Sequence, residues 1–148
     1  MGLIEIEKEI VMYKAYILAS NAAIGDLNTA RGEIDDGTQD LSTTTGNFTD
    51  GYKGGATSLA AGRISTCNDV ATGRRESVTN TIVNLQRDIE EFNQKIQQLQ
   101  AQRTAEINRL AEIARQVVLA KAAAAKKIAD AAAKKIADAA TAAAKMLE

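Results

Sequence analysis

Large apolar side chains recur at steps of three and four along two separate stretches of this 148-residue chain, and no proline interrupts either. Such spacing is the a/d pattern of a helix that buries one narrow seam against another helix. In the first stretch the seam runs Leu3, Ile6, Ile10, Tyr13, Ile17, Ile24, Leu27, Ile34 and Leu41, with Ser20, Arg31 and Thr38 at the skipped positions. In the second it runs Ile64, Ala71, Val78, Ile82, Leu85, Ile89, Phe92, Ile96 and Leu99, with Asn68 and Arg75 interrupting its early part. Both seams are weak at the ends that are adjacent in sequence and strong at the ends that are remote.

Between the two stretches lies Asn47–Gly55, which holds Gly51, Gly54 and Gly55 beside Asp50, the composition of a chain reversal. The sequence predicts an all-α antiparallel hairpin with a coiled-coil-like seam: a helix over about 3–42, a turn over 43–56 and a second helix from about 57. Folding the arms about Gly51 sets Ile24 opposite Val78, Ile17 opposite Leu85, Tyr13 opposite Ile89, Ile10 opposite Phe92 and Ile6 opposite Ile96. Strong half then meets strong half. Phe48 and Tyr52 are expected to plug the end of the bundle, with Gly54 allowing the reversal.

Beyond Leu99 the first arm is exhausted, yet the second continues through Ile107, Leu110, Ile113 and Val117. An isolated helix in water is marginal without packing. Residues 101–119 are therefore expected to overhang the hairpin and to find their partner in another molecule. From 120 to 148 the chain is rich in Ala and Lys, and the unit AAAKKIAD at 123–130 recurs at 131–138. An eight-residue period drifts by about 80° per repeat around a 3.6-residue helix, so no continuous apolar stripe forms. This tail is read as a solvated helix or a flexible segment.

Composition narrows the chemistry. Aromatic residues make up 3% of the chain and much of the 45% hydrophobic content is Ala, which suits long helices better than a thick core. Residues 1–56 carry nine acidic and four basic groups, residues 57–120 carry seven acidic and eight basic ones, and residues 121–148 carry three acidic and six basic ones. Opposite charge on the two arms favours antiparallel docking modestly. The chain has no His and one Cys, Cys67, which excludes a disulfide framework and removes the usual general base near neutral pH. Cys67 is read as a small buried thiol beside the seam.

No catalytic residues are assigned, and no enzyme activity is expected. Glu33, Asp35, Asp36 and Asp40 around Gly37 lack the ligand pattern of a calcium loop, so no metal and no cofactor are expected. Arginines are interleaved with acids and lack nearby aromatic groups, which argues against nucleic acid. A membrane partner is not expected either, since no run of about 18 apolar residues occurs. Gly25 and Gly32 on the first arm, and Gly62 and Gly73 on the second, lie off the seams, where another helix could approach closely or where glycine is simply tolerated.

The layout of two amphipathic helices joined by Tyr52-Lys53-Gly54 resembles the WXG-type small helical hairpins and the small helical partners of LXG toxins in Gram-positive type VII secretion. Tyr52 stands where that family carries Trp, and the aromatic-x-x-x-acid export pattern is not found, because Phe92 is followed by Ile96 four residues later. The resemblance, over roughly residues 3–100, implies a non-catalytic adaptor that binds another helical protein such as an LXG toxin's N-terminal domain. It also implies synthesis in the cytoplasm with a non-Sec route of export left open. A structural coiled-coil protein that self-assembles, unrelated to secretion, is the alternative.

Overall fold

The computed structural model describes residues 2–51 and 55–146, the side chains at 48–50, 56 and 57 excepted. The protein is an all-α two-helix hairpin: α1 spans Leu3–Gly51 and α2 spans Gly55–Lys145, and the two helices pack against each other. There is no strand among the described residues. The chain divides into two compact units, one of Ile4–Gln100 and one of Met1–Leu3 with Ala101–Glu148.

Within Ile4–Gln100 the core is a thin seam. Ile6, Ile10, Ile96 and Leu99 form one buried cluster, with Tyr13 and Ile17 half-buried against it. Ile82 is buried further along. Ile24, Val78, Leu85, Ile89 and Phe92 are half-buried, as two-helix packing requires, since each helix can shield only one side of the other. Phe92 anchors an aromatic group, with ring centroids 5.6 Å from Tyr13 and 5.8 Å from Tyr16. The two tyrosine rings meet edge-on at 6.4 Å. Such pairings add about 0.5–1.5 kcal/mol beyond burial.

The helix boundaries differ from those expected. The first helix does not stop near residue 42: α1 continues to Gly51, and α2 begins at Gly55 rather than at about 57. The Ser/Thr-rich stretch reads as helix-breaking because free hydroxyls compete for backbone groups. Here they are taken up inside the helix. Thr38 donates to the Ile34 carbonyl at 2.8 Å, Thr43 to that of Gln39 at 3.0 Å and Thr45 to that of Leu41 at 2.6 Å. Each hydroxyl thus bonds back to the carbonyl four residues earlier and leaves the helical ladder in place. Thr38, Leu41 and Thr45 are also half-buried, which carries the three-four seam on beyond residue 42.

The register is corrected by the same observation. With the reversal centred between Gly51 and Gly55 rather than at Gly51, facing residues shift by about one helical turn. Tyr13 meets Phe92, which the sequence set against Ile10, and Ile6 shares its buried cluster with Leu99 as well as with Ile96. The Arg75 Nε donates to Asp35 Oδ1 at 2.6 Å, in keeping with the shifted alignment. A seam whose steps alternate three and four keeps apolar opposite apolar after such a shift. Both registers therefore satisfy the sequence pattern.

Residues 101–145 continue as helix within α2. The Ala/Lys-rich tail is thus helical through Lys145, and of the two readings the solvated helix holds for its described part.

Candidate partner-binding surfaces

Of the turn residues singled out in the sequence, Gly51 is the last residue of α1. The side chain of Phe48, together with Tyr52 and Gly54, lies outside the described residues, and so does the expected aromatic plug. Of the seam residues, Ile6, Ile10 and Ile96 are buried in one cluster with Tyr13 and Ile17 against it, and Ile24, Val78, Leu85, Ile89 and Phe92 are half-buried.

Besides scattered exposed groups such as Leu59, Val70 and Val83 on α2, the remaining apolar surface gathers in two places. One is the helix 101–145, where Ile107, Leu110, Ile113 and Val117 are 42–47% exposed and Val118 and Leu119 more so. These side chains stand on a continuous helix because Ala and Lys dominate its sequence, with Arg, Glu and Gln among them, and all are strong helix formers. Its first turns are stiffened by a bidentate pair: the Arg109 Nε donates to Glu106 Oε2 at 2.8 Å and its Nη2 to Oε1 at 2.7 Å. Those hydrogen bonds, with the charge of the guanidinium behind them, hold the Glu106 carboxyl below its ordinary range.

The other is a column on α1 that the sequence reading passed over. Ile4, Val11 and Leu18 are 72%, 66% and 74% exposed. They sit seven residues apart, on a face turned away from the buried Ile6 and Ile10. Ile4 and Val11 also line a shallow groove with Glu7 and Lys8. The signal was in the sequence as a second heptad column running beside the seam. It was masked because the stronger column accounted for the helix by itself.

Gly25 and Gly32 continue this column, and a methyl group added to either would meet nothing within 4 Å. No contact within the chain calls for glycine at these positions. The same openness holds at Gly62 and Gly73 on α2.

Cys67 is exposed, not buried as expected. Its position beside Ile64 and Asn68 places it at the rim of the seam, and a two-helix interface is too narrow to cover the rim. It borders a cleft of about 240 Å³ between the helices with Ile34, Thr38, Leu41 and Val70. Among the described residues, the one buried side-chain polar atom without a hydrogen-bond partner is Asn68 Oδ1. No group of side chains suited to a metal ion occurs among them, and no helix is long and apolar enough to cross a membrane.

Comparisons with family models, curated proteins and solved structures yield no match to this chain.

Proposed function

We propose that this protein is a non-catalytic helical partner that binds another helical protein, and that its client is the N-terminal helical domain of an LXG-type toxin handled by a type VII secretion machine. The observation that carries the first part is the exposure of Ile107, Leu110, Ile113 and Val117 on one uninterrupted helix. Apolar residues spaced by three and four on a helix are the anchors by which helices dock. Support for the client comes from the hairpin layout and from Tyr52-Lys53-Gly54 between the helices.

Co-expression with the toxin N-terminal domain encoded beside its gene, followed by gel filtration with light scattering, tests the reading. The expected result is a stable complex, lost when Leu110 and Val117 are both replaced by Asp. Failure to co-purify with any neighbouring LXG domain would remove the client. A complex indifferent to the double substitution would remove the surface. The structural alternative, a coiled coil with no client, predicts that the protein is complete with copies of itself.

A further inference from the structure

Two exposed columns in this chain match each other. On α1 the outward column reads Val11, Leu18, Gly25, Gly32, each seven residues from the last. On α2 a column of the same period reads Leu110, Val117, Ala124, Ala131. The α1 column begins with three branched aliphatic side chains, Ile4 included, and the other with two preceded by Arg103; both then taper to two small residues in the same chain direction, and the eight members named are exposed.

Charge follows the taper. The end of the α1 column is flanked by Asp26, Glu33, Asp36 and Asp40, with Arg31 among them, and the end of the other by Lys127, Lys134 and Lys135, with Asp130 among them. We propose that residues 107–135 of a second copy of this chain dock in parallel along the outward face of α1. Val11 then lies beside Leu110, Leu18 beside Val117, and the two glycines beside the two alanines. The acidic end of α1 is met by the lysines of the partner copy. Exchange is reciprocal, each copy lending its segment to the other, so that the assembly closes at two chains.

Direction is decided by charge. Antiparallel docking would set the acidic end of α1 against the mixed charges of Glu106, Arg109, Glu112 and Arg115. Parallel docking sets it against the lysine-rich end and brings the large side chains of the two columns together at the other. At the narrow end, glycine and alanine let the backbones approach closely enough for the flanking charges to pair. This explains why glycine stands at two positions of α1 where the chain itself has no need of it. The dimer covers the same Leu110 and Val117 that the client-binding reading uses, so a client would displace the second copy.

Light scattering on the full chain at physiological salt is expected to give twice the 15.7 kDa chain mass. Leu18→Asp and Val117→Asp alter exposed positions outside the intrachain seam. Each is expected to weaken association about tenfold or more, with the helical circular dichroism of the hairpin retained. Lys134→Glu with Lys135→Glu should weaken it as well, and adding Glu33→Lys with Asp36→Lys should restore it.

In a Cys67→Ser background, a mixture of Leu18→Cys and Val117→Cys proteins should form a disulfide-linked heterodimer on mild oxidation, and neither protein alone should. A monomer, an open ladder of larger species, a dimer indifferent to Leu18→Asp, or charge reversal without rescue would each overturn the proposal. Leu18→Asp separates the two ideas: it should break the dimer and leave the toxin-domain complex of the co-expression experiment intact.

Discussion

Single residues in this hairpin are informative where they break the seam. Asn68 sits among apolar seam positions with its carbonyl oxygen buried and unbonded. Leaving such a group without a partner costs about 1–3 kcal/mol. Asn68→Leu should therefore raise the urea midpoint of the full chain, by roughly 1 kcal/mol in unfolding free energy. An unchanged midpoint would mean that the oxygen is solvated. Glu106 gives a pH dependence of defined sign. Its carboxyl is held below the ordinary value by hydrogen bonds from Arg109. The pair's contribution is thus whole at neutral pH and is lost as the pH falls through that lowered value. Acid titration of helical circular dichroism should show this loss in the native sequence and not in Glu106→Gln. Cys67 shows the limit of residue-level reading, because periodicity placed it next to the seam without revealing how narrow the seam is.

At the scale of the element, the two helices and the residues of their seam were legible in the sequence, because the alternation of three and four from Leu3 to Ile17 and from Val78 to Leu99 admits no other regular structure. The end of α1 was not legible. Propensity treats each Thr as a competitor for the helix, whereas Thr38, Thr43 and Thr45 are reconciled with it by bonds to carbonyls one turn back. That error moved the centre of the reversal and, with it, the register. The exposed heptad column at Ile4, Val11 and Leu18 was also missed, since a single seam already explains an amphipathic helix. Burial separates the two parts of α2. Leu99, 1% exposed in the core cluster, should cost about 2–5 kcal/mol when replaced by Ala. Ile113→Ala should leave the thermal midpoint of the dilute protein nearly unchanged. Equal losses at the two positions would mean that residue 113 is buried in solution.

At the scale of the whole molecule, order should be graded along the hairpin. The buried side chains cluster at Ile6, Ile10, Ile96 and Leu99, remote in sequence from the reversal, while the stretches beside it offer only half-buried groups. Amide hydrogen exchange should accordingly be slowest around residues 6–17 and 89–99 and faster over 41–47 and 58–68, because local opening follows the density of buried contacts. Uniform protection would contradict a core confined to one end. The seam has a mechanical consequence. Because its steps repeat every seven residues, apolar still meets apolar when α1 is set one turn, about 5.4 Å, further along α2. The Asp35–Arg75 bond, about half exposed, marks the present setting rather than locking it.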